Sequence, residues 1–350
     1  MNLRALADRR GRPGPAPARS LDWQRCLGIE AIADDLVRVE GVLDDAAQTG
    51  NRFLTRATSH LVSRRGKRLR PLLTLAAART ASDPDALGEP ASEPVVTGAA
   101  LVELLHIGSL YHDDVMDGAK TRRGAITVNA SWGNTVAILA GDFLMAAATK
   151  VALGLSRDRE IEHLLADSLF DLCRGQAAET ERTFDTNRDE AAYEEAIAGK
   201  TARLFTTACR LGAIEGGLGP TAVEALTGFG HNLGMAFQVV DDILDLTSQD
   251  ADGKPRCQDL VQGVYTLPVI VALRESKELR KLLGKPLSRA QAQRARGIVL
   301  AGDGIPVARA AAERYVRQAS ATLRACSEAP GGPVVSGLER LSWLLLHRTA

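Results

Sequence analysis

An all-α fold, one large bundle of ten or more helices, is predicted by three observations. No proline occurs between Pro94 and Pro220, although Ala and Leu are abundant throughout. Proline costs about 3 kcal/mol inside a helix, so a long proline-free stretch fits a series of long helices. No segment alternates β-branched and polar residues as a half-buried strand would, and aromatic residues, which favour strands, make up only 4% of the chain.

Taken in order, residues 1–20 read as a flexible extension, because Gly11, Pro13, Gly14, Pro15 and Pro17 interrupt any pattern. Residues 21–350 read as a single helical domain. Turn-like punctuation separates its helices at Ser82 to Pro94, Gly118 to Gly124, Gly216 to Pro220, Asp250 to Pro255 and Ala329 to Pro333. Lys plus Arg and Asp plus Glu are equal at 43 each, which argues against nucleic-acid binding. Five widely spaced cysteines without a C-x-x-C pair suggest reduced thiols and a cytoplasmic setting. The charged N-terminus (Arg4, Asp8, Arg9, Arg10, Arg12) is unlike a secretory signal. The apolar run Val136 to Ala148 is broken by Asp142 and reads as too short to span a bilayer.

Two copies of Asp-Asp-x-x-Asp carry the chemistry: Asp113, Asp114, Asp117 and Asp241, Asp242, Asp245. Each puts three carboxylates within about one and a third helical turns. Like charges at i and i+4 cost roughly 0.2–0.5 kcal/mol per pair, so the pattern works against folding unless cations answer it. Both copies sit among apolar residues, including Leu104, Leu105 and Leu110 near the first and Phe237, Val239 and Ile243 near the second. Such acids suit a hard cation, since Mg²⁺ takes carboxylate oxygens and keeps positions open for phosphates. Helix bundles build metal sites from facing helices, which predicts one cavity shared by both copies.

Basic groups supply the matching anion site. Gly66-Lys67-Arg68-Leu69-Arg70-Pro71 places Lys67 and Arg70 at i, i+3, on one face if helical, with Gly66 open to a ligand. Arg122 and Arg123 precede Gly124 in an expected turn, and Gly199-Lys200-Thr201 and Lys254 follow. Arginine's planar fork suits bidentate phosphate binding. Several cation groups beside two acidic motifs imply an enzyme handling more than one diphosphate. Each group alone reads as ordinary surface charge; their combination reverses that.

The ordered set GKRLRP, HDDVMD, RRG, GKT, FQVVDDILD and GKP resembles the trans-type polyprenyl diphosphate synthases over about residues 60–270. The resemblance implies a helical bundle with a central cavity and a Mg²⁺-dependent transferase acting as a homodimer. It implies condensation of isopentenyl diphosphate with an allylic prenyl diphosphate. Asp113, Asp117 and Asp241 would ligate metal, with Asp114, Asp242 and Asp245 in support. Gly66, Lys67, Arg70, His106 and Arg123 match the isopentenyl diphosphate site. Arg122, Lys200 and Lys254 match the allylic diphosphate site, and Thr201 and Gln238 would steady a cation. A greasy product implies release at a membrane surface, with no transmembrane segment in the enzyme.

Two departures stand out in the family's G-K-P-x-G-x-D-L-x-x-G-K-x-T-L-P stretch: Cys257 replaces a glycine and Val264 the second lysine, which should weaken diphosphate contacts on one side. Product length follows from the helix before the first motif. Ser109 lies one turn, about 6 Å, before Asp113, with Gly108 beside it and Leu105 a further turn away. Small side chains there predict a tunnel without a floor and a product beyond C20. The rivals are a geranylgeranyl-length synthase, a class I terpene cyclase and a non-catalytic subunit of a heteromeric synthase. A cyclase has no need of a second diphosphate site, and a non-catalytic subunit would be expected to lose acids.

Overall fold

The computed structural model describes residues 23–64, 66–155, 159–248, 257–324 and 332–348. The N-terminal extension and Lys254 lie outside the described residues. The expected all-α class holds. In chain order the helices are α1 (Ile32–Ala46), α2 (Arg52–Val62), α3 (Leu69–Ala77) and α4 (Glu93–Met116). They continue with α5 (Val128–Trp132), α6 (Asn134–Ala152), α7 (Glu160–Glu181) and α8 (Glu190–Ile197). After a π-helical turn at Ala198–Ala202 come α9 (Arg203–Glu215), α10 (Pro220–Thr247), α11 (Gln258–Gln262) and α12 (Leu267–Glu275). The chain closes with α13 (Lys277–Leu282), α14 (Arg289–Ala301), α15 (Gly304–Arg324) and α16 (Pro333–Leu346).

Local chemistry sets the ends that matter for function. Pro94 and Pro220 occupy the first turns of α4 and α10, where a missing N–H costs nothing. Helix α4 stops because Gly118 turns left-handed at φ 59° and returns its N–H to Val115, a glycine C-terminal stop. The expected turn at 118–124 is partly a hairpin. Strands β1 (Thr121–Arg122) and β2 (Ala125–Ile126) pair antiparallel, with Arg122 opposite Ala125. Arg123 (φ 52°) and Gly124 (φ 73°) form its two-residue loop, and two positive φ values are what such a loop needs.

The core falls into two clusters, and α10 contributes to both. Leu226, Phe229 and Leu233 join the larger one, while Met235, Val239, Val240 and Ile243 join the second. Gly234 lets the π-helical turn lie against α10: a Cβ there would stand 2.5 Å from the Ala202 Cα. That contact brings Thr201 beside Gln238. Helix α4 is apolar along most of its length before the acidic motif and mostly buried. The apolar run expected to be too short extends further than its sequence suggests: α6 incorporates polar Asn134, Thr135, Thr149 and Lys150 at its ends. Both α4 and α6 are long and apolar enough to cross a membrane by length and composition. Helix α6 leaves Ile138 and Leu139 exposed.

Candidate active site

Both acidic motifs lie in the last turns of long helices, α4 and α10, where backbone carbonyls leave a negative end and no basic residue stands in the last turn. This is the least favourable place for carboxylates without cations. In the first motif Asp114 is buried and paired with the Arg122 guanidinium. The Asn129 amide donates to the Asp114 carbonyl at 2.9 Å, tying the end of α4 to α5. The carboxylates of Asp113 and Asp117 make no hydrogen bond among the described residues. Burial raises both above the usual carboxylate range, and the Lys200 ammonium opposes the rise.

In the second motif each carboxylate has a donor. Asp241 pairs with Arg348 from beyond the end of α16, while Arg348 also donates to the Phe237 carbonyl at 2.9 Å. Asp242, only 3% exposed, accepts from the Tyr193 hydroxyl at 2.6 Å and from the Gln238 amide at 2.8 Å. Burial pushes its carboxyl up to about 7, with the Tyr193 and Gln238 bonds pulling the other way. Asp245 accepts the backbone N–H groups of Gln258 and Asp259 at 3.1 and 3.2 Å. Through these bonds the Asp245 carboxylate ties the end of α10 to the start of α11.

The two motifs meet. One polar cavity of about 120 Å³ is lined by Asp117 from the first and Asp242 from the second, together with Glu179, Lys200, Thr201 and Gln238. Lys200 pairs with Glu179 at 2.5 Å. Burial works against its charge, but Glu179 and Asp113 outweigh that and raise its pKa. The Thr201 hydroxyl donates to the Gln238 side-chain oxygen at 2.6 Å, so Thr201, Gln238, Asp242 and Tyr193 form one hydrogen-bonded chain. Among the described residues no three His, Cys, Asp or Glu side chains converge as a ready-made metal cluster. The donor set still fits Mg²⁺, which is usually held by one or two carboxylates with water and phosphate oxygens completing the shell. Asp113 and Asp117 have open oxygens for that, and Asp241 keeps its second oxygen beside the one that Arg348 holds.

A second cavity, of about 380 Å³, gathers Gly66, Lys67, Arg70, His106 and Arg123. All five residues matched to the isopentenyl diphosphate site therefore line one space. Phe237 lines this cavity and Gln238 the first, so consecutive residues of α10 contribute to both. Two details differ from the sequence reading. Lys67 is not on a helix with Arg70, because α3 starts at Leu69 after a left-handed Arg68 (φ 46°); the loop brings both to the cavity. Gly66 is approached by Arg123 itself: a Cβ there would lie 2.7 Å from its guanidinium carbon. Burial lowers Arg70 to about 10, still charged at neutral pH. Burial, then Arg70 and Arg123, drive His106 well down, which favours its neutral form.

The polyprenyl synthetase family model matches residues 51–298, more than half of the chain. The chain belongs to the polyprenyl synthetase family. It is 36% identical over 314 residues to a nonaprenyl diphosphate synthase from Mycobacterium tuberculosis, covering 88% of this chain and 91% of that protein. It is 37% identical over 253 residues to a short chain isoprenyl diphosphate synthase from Methanothermobacter thermautotrophicus, covering 70% and 75%. Among solved structures, a polyprenyl synthase from Caulobacter crescentus complexed with calcium and isoprenyl diphosphate has a TM-score of 0.84 at 31% identity. That match covers 93% of this chain and 98% of the other. Members of this family are transferases.

Against the family pattern, Cys257 sits at φ 45°, a left-handed conformation that glycine adopts without strain. Gly108 packs closely against α6: a Cβ there would meet Met145 at 3.1 Å and the Gly141 carbonyl at 3.3 Å. It is small because α4 and α6 touch there. Leu105 is fully buried, and half-buried Ser109 donates to the His106 carbonyl at 2.9 Å. Glu103, read as a cap or core partner, pairs with Arg68 at 2.8 Å. Sequence reasoning missed Glu179, Arg188, Asp259 and Arg348. Asp259 lines the acidic cavity, where burial and then Asp245 and Asp242 hold its carboxyl well above the usual range. Asp259 stands at the aspartate of the G-K-P-x-G-x-D-L stretch, a signal that could have found it. No spacing rule links Glu179, Arg188 or Arg348 to the motifs, and those three arrive by tertiary packing.

Proposed function

We propose that this protein is a Mg²⁺-dependent prenyltransferase that joins isopentenyl diphosphate to an allylic prenyl diphosphate, making an all-trans polyprenyl diphosphate beyond C20. One observation carries the reading: a cavity with acids from both motifs and a separate cationic cavity are lined by consecutive residues of α10, Gln238 and Phe237. Two adjacent anion-binding spaces suit two diphosphate substrates, whereas a terpene cyclase needs one. Kinship with a nonaprenyl synthase over most of both chains supports the longer product.

Asp113, Asp117 and Asp241 hold the metal, with Asp114 and Asp242 fixing the ends of their helices. When bound, Mg²⁺ supplies Lewis-acid stabilisation of the allylic diphosphate as it leaves. Lys200 and Arg122 add charge to the same group, and Lys254 is assigned there on family pattern alone. The oxygens of Thr201 and Gln238 lie where positive charge develops on the allylic carbon, an electrostatic role. Lys67, Arg70 and Arg123 hold the diphosphate of isopentenyl diphosphate, and His106 donates one hydrogen bond. The new bond forms between the isopentenyl double bond and the allylic carbon. The proton lost afterwards goes to the departing diphosphate, so no protein base is required.

The exposed apolar side of α6, with Ile138 and Leu139, supports burial against a second copy in a homodimer. The enzyme acts in the cytoplasm and releases its product at a membrane surface. Purified protein with Mg²⁺, labelled isopentenyl diphosphate and primers from C5 to C20 tests the reading. Elongation to products longer than C20 is expected; no elongation from any primer overturns it.

A further inference from the structure

Arg188 is a buried cation whose hydrogen-bonding edge the fold leaves unused, although Glu179 and Asp242 favour its charge from a distance. It is only 4% exposed. Its Nη1 donates to the Tyr265 carbonyl at 3.2 Å, while Nε and Nη2 are buried and have no hydrogen-bond partner among the described residues. Those two atoms form one edge of the guanidinium, the edge whose parallel N–H groups match two oxygens of a carboxylate or phosphate. A buried donor left unpaired costs about 1–3 kcal/mol, more when charged. Such groups call for an explanation such as an absent ligand.

The side chain is held firmly in place. The Phe184 N–H donates to the Gly263 carbonyl at 2.8 Å. Arg280 reaches the Thr186 carbonyl at 3.3 Å and the Asn187 side-chain oxygen at 3.1 Å. Asp189 then caps α8 by accepting the Ala192 N–H at 2.8 Å. The guanidinium lies 5.7 Å from the centre of the Tyr193 ring. From this scaffold Arg188 faces the acidic cavity beside Asp117, Glu179, Lys200 and Asp242. Val264 lines the same cavity and, being apolar, offers no donor. The position that departs from the family's lysine thus adjoins a guanidinium that the motifs do not announce.

Building on the prenyl-transfer reading, we propose that Arg188 is a substrate-binding residue: its unpaired edge donates two hydrogen bonds to the allylic diphosphate, and to the pyrophosphate product, doing here what a lysine at position 264 would do. The weakening expected from Val264 is then offset by Arg188. The two residues form an exchangeable pair, in which one cation at either position serves the same anion.

The test compares wild type with Arg188→Leu, Arg188→Gln, Arg188→Lys and Arg188→Leu/Val264→Lys. Calorimetry reads binding of pyrophosphate with Mg²⁺, kinetics read KM for each substrate, and thermal melts check folding. Losing two charge-assisted bonds should weaken pyrophosphate binding and raise the allylic KM by about tenfold to a hundredfold. KM for isopentenyl diphosphate should stay within about twofold. Arg188→Gln can still donate to the Tyr265 carbonyl, so it guards against a folding defect and should show the same loss. Arg188→Lys should recover part of the affinity, and the double variant most of it. Unchanged pyrophosphate affinity in folded Arg188→Leu or Arg188→Gln overturns the assignment, as does a folded double variant that recovers nothing. A wild type that binds Mg²⁺-pyrophosphate through Arg188 yet elongates no primer would sink the prenyl-transfer reading and leave the anion site standing.

Discussion

Asp113 and Asp117 of the first motif stand open beside Lys200, whereas Asp241, Asp242 and Asp245 of the second each hold a donor of the fold. The two segments share a spelling and a place, the end of a long helix, but not an environment. In the first, only Asp114 is committed, to Arg122. In the second, the carboxylates anchor Arg348, Tyr193 with Gln238, and the start of α11. The same residue pattern therefore does two jobs. One copy leaves two carboxylates without a partner among the described residues, and the other has each carboxylate tied to a further element of the fold.

The sharpest way to break this contrast is to remove an open carboxylate. Asp113→Asn or Asp117→Asn should lower turnover by about a thousandfold or more, several kcal/mol of transition-state stabilisation. The melting temperature without metal should be unchanged or higher, because a repelling charge has gone. A parallel loss of stability would show that the first motif is also structural. In the second motif, Asp242→Ala leaves the Tyr193 hydroxyl and the Gln238 amide without their acceptor, a cost of about 1–3 kcal/mol each. A large fall in denaturant midpoint is expected, and a midpoint like that of wild type would count against the division of labour.

Acid–base behaviour sharpens it further. The Asp242 carboxyl is raised to about 7 in the fold, above the unfolded value of about 3.9. Between those limits the folded state binds more protons than the unfolded state, so this residue makes the metal-free protein less stable as pH rises from about 4 to 7. Melts in chelator should show that slope, and Asp242→Asn should flatten it. A slope of the same size in the variant would assign it elsewhere. A smaller effect is expected from Arg348→Ala. Freeing Asp241 from its guanidinium should tighten Mn²⁺ binding several-fold, discounted because the Asp241 side chain is 44% exposed. Weaker metal binding would mean that Arg348 organises the site rather than competing for it. The smallest change concerns product length: Ser109→Phe, one turn above the open motif, should shorten the main product without altering primer affinity. An unaltered product profile would remove Ser109 from the path of the tail.

Much of this was legible beforehand. The proline-free stretch foretold α4 to α9, and five of the six motifs supply residues to the two cavities, the sixth lying outside the described residues, because short spacings on helices survive folding unchanged. Arg122 and Arg123 were assigned to different substrates, and the hairpin does send them apart, one to Asp114 and the other to the second cavity. What escaped depends on neighbours distant in the chain. Gly108 read as open space only because α6 is invisible from α4 alone. The N–H donors that Gln258 and Asp259 bring to Asp245 were equally invisible, since they lie 13 and 14 residues further along the chain. Arg188 carried no signal at all: a lone arginine before a helix cap is an ordinary surface residue until packing buries it against Tyr265.

The central claim is that carboxylates of both motifs grip one pyrophosphate through divalent ions in one cavity. Calorimetric titration of pyrophosphate into wild type, Asp117→Asn and Asp241→Asn, with Mg²⁺ and with chelator, tests it most directly. Binding that requires Mg²⁺ and is weakened by either substitution is expected. Binding that persists in chelator, or that survives both substitutions unchanged, would contradict it.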